Sequence, residues 1–309
     1  MKASKYLLFL AISCVASTVA YAQEWNQEKY SDYRPEVFNP DPQSVAFSKQ
    51  FSEAERTGLC PELRRKRDAA RHAKRRAEGE QAARPDHVHN GATVYFPPTF
   101  NQHGGSCGSA SRIGYMFTHE INAFRGLDGS LEENQYPTHF VWLLTNGNSG
   151  KDQFVSEVGV PSAKTYGGRT YSSLFGGQVE TNNDFGWMTG YDKWYSGFFN
   201  KMQKPTTCAN SLATEAGREW AKNWLWNHCG DTDFKCGGLI GLGVASGGQW
   251  EAIPRTDAND AAGVTGMYYV KKWGTSVDHA LTLVGYDDRI EFDLDGNGVY
   301  GEEDKDEKG

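Results

Sequence analysis

The clearest periodicity in the chain begins at Cys107. Ala110, Ile113, Phe117, Ile121 and Phe124 are spaced by three or four residues and predict a helix with one apolar face. Ser106 stands where an N-cap belongs. A second helix is expected from Tyr136 to Thr145, with Trp142 and Leu143 buried. A short amphipathic helix is expected from Trp220 to Trp226. Strands are expected at Thr93 to Phe96, entering Pro97-Pro98, at Gly237 to Ser246 and at Met267 to Lys272. His279 opens an alternating run of Ala280, Leu281, Leu283 and Val284 that predicts a buried strand. Val158 to Pro161 reads as a turn. Tyr166 to Tyr195 is rich in Gly, Tyr and Trp and has no period of either kind.

Before residue 91 the pattern is different. Lys2 and Lys5 precede a largely apolar stretch, Tyr6 to Ala20, and Ala20-Tyr21-Ala22 is a small-x-small cleavage site. Residues 1–22 therefore predict a secretory signal. The apolar stretch is too short for a membrane anchor, and Ala-Ile-Ser-Cys around Cys14 is a poor lipobox. Residues 23–90 carry little apolar periodicity. Glu62 to Arg84 holds nine Lys/Arg against four Asp/Glu and reads as a solvated helix ending near Pro85. A basic linker and a propeptide are both open for this segment. His87 and His89 could ligand a metal, although they stand in a polar linker. The net charge of −7 and the lack of a nucleic-acid motif set nucleic acid aside as a partner. From residue 91 to 309 the composition is that of a folded domain, long enough to bury a core.

Candidate chemistry concentrates in Phe100 to Ser111, which reads F-N-Q-H-G-G-S-C-G-S-A-S. Cys107 falls in the first turn of the expected helix. Unpaired N–H groups and the helix dipole there favour an anion, which suits a thiolate nucleophile. The Cys107 N–H and the Gln102 amide could both point at one developing oxyanion. A thiol nucleophile needs a base, and Ser276 to Tyr286, S-V-D-H-A-L-T-L-V-G-Y, places His279 on a rigid strand. His119 and His139 fall on expected helices and read as structural. His103, on the glycine loop beside Cys107, could touch substrate. Export implies an oxidising compartment. Without Cys14 five cysteines remain, Cys60, Cys107, Cys208, Cys229 and Cys236, and an odd count points to one free thiol, assigned to Cys107. Cys229 and Cys236 could form a disulfide with each other, or either with Cys208.

Taken together, these two stretches resemble the papain-like cysteine peptidases, whose catalytic cysteine lies near the mature N-terminus with its histidine far downstream. Gln102 and Cys107 match the family's oxyanion glutamine and nucleophile. V-D-H-A-x3-V-G-Y is similar to its histidine motif, with the histidine at His279. The likeness covers about residues 92–125 and 237–288. There are departures. Gly108 stands where the family has an aromatic residue, and Gln102 lies five positions before Cys107 where the family has six. Cys107 and His279 are 172 residues apart, against about 130–150 in the family, so insertions lie between. A rival alignment sets S-C-G-S on the family's disulfide cysteine and Ala110 at the nucleophile position, which implies an inactive binding protein.

The resemblance implies an α+β fold, with a helical lobe carrying Cys107, a β-barrel lobe carrying His279 and the active-site cleft between them. It implies an exported cysteine-type endopeptidase, periplasmic or extracellular, acting on peptide or protein and needing no cofactor for catalysis. An amidase or transferase would use the same Cys–His pair. No membrane partner is expected after signal cleavage, and the oligomeric state is open. A papain-like site also uses an asparagine in an Asn-Ser-Trp-Gly context beyond the histidine strand. After Asp287 the sequence holds only Asn297. The sequence is therefore expected to be C-terminally truncated and, as 309 residues alone, poorly folded and nearly inactive.

Residues 293–304 read D-L-D-G-N-G-V-Y-G-E-E-D. Asp293, Asp295, Asn297 and Asp304 fall at positions one, three, five and twelve of an EF-hand-like loop, with Gly298 at position six and the Val299 carbonyl at seven. Clustered oxygen ligands suit a structural Ca²⁺. Asp stands at position twelve where Glu is usual, and no flanking helix pair is evident.

Overall fold

The structure, a computed structural model, describes residues 36–37, 84–102, 104–145, 151–166, 171–174, 177–180, 191–202, 206–208, 210–227, 237–302 and 307–309. The expected signal at 1–22, nearly all of the basic segment, and Cys60, His103, Cys229, Cys236 and Asp304 lie outside the described residues.

The first described strands are β1 (Glu36–Val37) and β2 (His87–His89). A long central helix follows in three parts: α1 (Cys107–Ser109), a π-helical segment (Ala110–Phe117) and α2 (Thr118–Arg125). Four short elements come next, α3 (Thr138–Leu144), α4 (Lys151–Glu157), α5 (Ala163–Tyr166) and the hairpin of β3 (Tyr171–Leu174) with β4 (Gly177–Glu180). Then come α6 (Tyr191–Phe198), β5 (Thr206–Thr207) and α7 (Glu215–Asn227). Strands dominate the remainder: β6 (Ile240–Val244), β7 (Gln249–Ala252), β8 (Tyr268–Lys272), β9 (His279–Leu283) and β10 (Gly285–Asp287), with α8 (Asp257–Ala262) between β7 and β8. The fold is mixed α+β. One antiparallel sheet has the order β5-β1-β6-β9, and β2–β10 and β7–β8 form separate ribbons. The expected β-barrel is not closed among the described residues. Closure needs unbroken pairing around the ring, and the second edge of β9 has no strand partner among them.

The central helix was expected to show one apolar face, yet it is buried nearly all round. Ile113, Met116, Phe117 and Ile121 join Tyr136, Phe140, Val141, Val155 and Leu239 in the main core. Ser111, Thr118, His119, Glu120 and Asn122 are also buried. Enclosing polar groups demands internal partners. Asn122 Nδ2 donates to the carbonyls of Tyr95 and Asn134, at 3.2 and 3.0 Å. Thr118 Oγ1 donates to the Ile113 carbonyl five residues back, at 3.1 Å, where the wider π turn leaves that oxygen within reach. Gly126 ends α2 in the left-handed conformation (φ 69°), its N–H bonded back into the last turn.

Three other expectations change. Thr93 to Phe96 is a turn, tied by Phe96 N–H to the Thr93 carbonyl (3.1 Å) and Thr93 Oγ1 to the Asn90 carbonyl (2.7 Å). Its aromatic residues serve packing: Phe96 stacks on Tyr115 at 5.4 Å. On α3 it is Phe140 and Val141 that are buried, while Trp142 and Leu143 remain partly exposed. β9 is only half-buried along its length. The residues just before 91 also pack onto the domain. Arg84 forms a two-pronged pair with Glu219 on α7, at 2.6 and 2.9 Å. The Asn90 side chain donates to the Leu225 and Gly238 carbonyls. Beside them, a Cβ on Gly237 would collide with the Leu225 carbonyl, so only glycine lets the chain pass this close to the end of α7 on its way into β6.

Candidate active site

Cys107 opens α1 and is a partly exposed free thiol. Ala110, the nucleophile position of the rival alignment, is only 6 % exposed and faces the core. The loop before Cys107 is fixed from behind. Phe100 stacks on Tyr115 at 4.8 Å, the Tyr115 hydroxyl accepts from the Phe100 N–H (3.0 Å) and it donates to the Phe100 carbonyl (3.2 Å). Gly114 makes this fit possible, because a Cβ there would sit 2.5 Å from the Phe100 ring. Gly104 holds φ 63°, with the Trp142 ring alongside, and nothing stands over Gly105. The expected capping role of Ser106 takes another form: its side chain makes no cap bond, and its carbonyl accepts the Ala110 N–H at 2.8 Å. Gln102 Nε2 donates to the Gly104 carbonyl at 3.0 Å. One amide hydrogen is thus engaged within the loop, and the second is the one able to reach an oxyanion.

His279 begins β9 and pairs with Val244 across the sheet. Three short contacts tie β9 to the central helix. Ser111 Oγ donates to the Leu281 carbonyl at 2.8 Å and lies 2.8 Å from Thr282 Oγ1, which in turn donates to the Ser111 carbonyl at 3.2 Å. The first turn, Cys107–Ser109, also packs against β9. Cys107 precedes Ser111 by four residues, roughly 6 Å of helix on the same face. His279 precedes Leu281 by two residues, roughly 6.6 Å on the same face of the strand. The anchor joins the two elements without by itself bringing the imidazole to the thiol, because Thr282 and His279, three residues apart, fall on opposite faces of an extended strand. Burial lowers the His279 pKa, and the charge of Asp278 partly offsets this. Asp278 itself is turned away: its carboxylate accepts the Ser246 N–H at 2.7 Å, as alternation along an extended chain requires.

Lys151, at the start of α4, is a member of this site that the sequence did not announce. Burial, and then the Arg112 guanidinium, push its pKa down to about 8, while Asp152 and Cys107 act in the other direction. The Cys107 thiol is thus among the groups whose charge acts on Lys151. Arg112 Nη1 bonds both oxygens of Asp152, at 3.0 and 2.8 Å. That ion pair brings α4 to the helix that Cys107 opens. No motif marks Lys151; its role depends on this tertiary pairing.

The acidic loop is described except at residues 303–306. Asp293 accepts the N–H groups of Gly296, Asn297 and Gly298, and Asp295 that of Asn297. Asn297 Oδ1 accepts the Val299 N–H at 2.6 Å, and its amide donates to Asp295 and Glu302. Carboxylate oxygens of Asp293 and Asp295 lie within 4.8 Å of one from Glu307, which the spacing rule had not included. Val299 is exposed.

Among the remaining expected residues, Cys208 is a buried free thiol, so the disulfide considered for it is not formed. His119 and His139 are fully buried, as structural histidines would be. Exposed His87 is held 2.9 Å from Asp86. Among the described residues no helix is long and apolar enough to cross a membrane. Comparison with protein-family models, curated proteins and solved structures finds no match.

Proposed function

We propose that this protein is an exported cysteine-type peptidase of papain-like, two-lobe architecture. In it the helix of Cys107 and the strand of His279 face each other across the substrate cleft. The observation that supports the reading is the Ser111 anchor on Leu281 and Thr282, which ties the helix of Cys107 to the strand of His279. The partial exposure of Cys107 beside the open Gly104-Gly105 loop supports it, because a peptide must reach the sulfur.

In the proposed reaction His279 takes the thiol proton, and the thiolate attacks the peptide carbonyl carbon. A C–S bond forms, and the carbonyl π electrons move to oxygen. The Cys107 N–H and a hydrogen of the Gln102 amide stabilise that oxyanion. Collapse breaks the C–N bond, with the His279 proton passing to the leaving amine. Water then attacks the thioester, giving its proton to His279, and the acid leaves as the thiolate is restored. Burial, which lowers the His279 pKa, favours the form of the imidazole that accepts the thiol proton to give the thiolate–imidazolium pair. The test is cleavage of a peptide library by wild-type and Cys107→Ala protein. Cleavage lost in the folded variant supports the peptidase; turnover of simple amides without peptide cleavage replaces it with an amidase.

A further inference from the structure

We propose that the carboxylates of Asp293, Asp295 and Glu307 bind one Ca²⁺, with Glu307 as the buried closing ligand. Glu307 is fully buried. Its Oε1 accepts the N–H groups of Leu294 (2.6 Å) and Asp295 (3.2 Å), while its Oε2 is buried with no hydrogen-bond partner among the described residues. A carboxylate oxygen enclosed without a donor is costly. The cost grows here, because oxygens of Asp293 and Asp295 lie within 4.8 Å of the Glu307 carboxylate and like charges repel. A divalent cation relieves both penalties at once.

The donor set is all oxygen, which favours a hard cation. Oxygens that share one Ca²⁺ at about 2.3–2.6 Å lie up to about 5 Å apart, and carbonyls or water complete the shell of six to eight. Glu307 stands three residues beyond the position where a twelve-residue loop places its last ligand. The Asn297 oxygen, expected as a ligand, is instead used within the loop on the Val299 N–H. The loop hangs on a closed base. Phe292 N–H bonds the Glu307 carbonyl at 2.8 Å, and Glu291 bridges Lys308. Buried Asn259 then clamps both backbone groups of Glu291, at 2.8 Å each. Binding at Asp293, Asp295 and Glu307 therefore fastens this loop to α8, and a cation that binds only the folded state stabilises it by mass action.

This site does not depend on the peptidase reading. Calorimetric titration of the chelator-stripped protein with CaCl₂, paired with thermal melting at about 5 mM Ca²⁺, tests it at a concentration above the weak end of known calcium loops. One binding site and a raised melting temperature are expected. Glu307→Gln should weaken binding at least about tenfold. Exposed Asp295→Asn should do the same, and it decides the matter where Glu307→Gln does not fold. No heat and no melting shift overturn the proposal. So does unchanged affinity in the folded variants, or an equal effect of Mg²⁺ at the same concentration.

Discussion

Removing the Ser111 hydroxyl cuts the contact that ties the helix of Cys107 to the strand of His279. Ser111 is 4 % exposed, and its Oγ reaches the Leu281 carbonyl and Thr282 Oγ1 at 2.8 Å each. Water cannot readily replace the lost partner, so Ser111→Ala should cost about 1–3 kcal/mol of stability. Thr282→Val removes the other half of the pair and should cost a similar amount. Because the hydroxyls meet each other, the double variant should lose less than the two single losses added, with a coupling of about 0.5–3 kcal/mol. The functional effect should exceed the stability effect in its consequences. A shift of roughly 1 Å between reacting groups can cost about a hundredfold in rate, so kcat/KM should fall tenfold or more in each single variant while the protein stays folded. Urea unfolding followed by tryptophan fluorescence gives the first quantity, and peptide-cleavage kinetics give the second. Wild-type kcat/KM in variants that have lost the expected stability would refute the positioning role.

Further outcomes follow from the same geometry. Lys151 is a cation below about pH 8. The ratio of alkylation rates of Cys107 by iodoacetate and by uncharged iodoacetamide, which cancels the thiol's own titration, should fall as pH rises through that value. In Lys151→Met the ratio should be low and flat, and a ratio unchanged by that substitution would separate Lys151 from the thiol. The His279 pKa is lowered on folding, so the unfolded chain binds the proton more readily. Stability should be lost as pH falls below about 6.5, the ordinary imidazole value. Melting curves of His279→Gln should show a flatter acid limb, and parallel limbs in the two proteins would contradict this. Gly114→Ala puts a methyl 2.5 Å from the Phe100 ring and should cost about 1–3 kcal/mol by overpacking. It should also disturb the Gln102 loop; an unchanged urea midpoint would show that the ring moves aside freely.

The helix start at Cys107 was legible because a 3.6-residue apolar period begins directly after it. The strand at His279 was legible from its two-residue alternation. What surrounds them was not. Lys151 is placed by tertiary packing that includes the Arg112–Asp152 pair between two helices, a contact that no local spacing encodes. Glu307 escaped because a rule built on twelve positions does not look at the fifteenth. Thr93 to Phe96 has the composition of a strand, but stacking of Phe96 on Tyr115 and local carbonyl bonds hold it as a turn; tertiary packing overrode propensity. β1 is two residues long and pairs on both sides, with β5 and β6, too short for any period to mark it. The expectation of a one-faced central helix failed for a related reason. Its polar residues Ser111, Thr118 and Asn122 look solvent-facing in sequence, yet each finds a partner inside.

The central claim is that Cys107 attacks with His279 as its base. Its most direct test is inactivation of the protein by a peptidyl epoxide, with the modified residue located by mass spectrometry and peptide cleavage followed in parallel. The account predicts one adduct, on Cys107, with cleavage lost in proportion to labelling. His279→Ala should label more slowly by about a hundredfold or more. Cleavage that persists in fully labelled protein, or labelling of Cys208 in preference to Cys107, would contradict it.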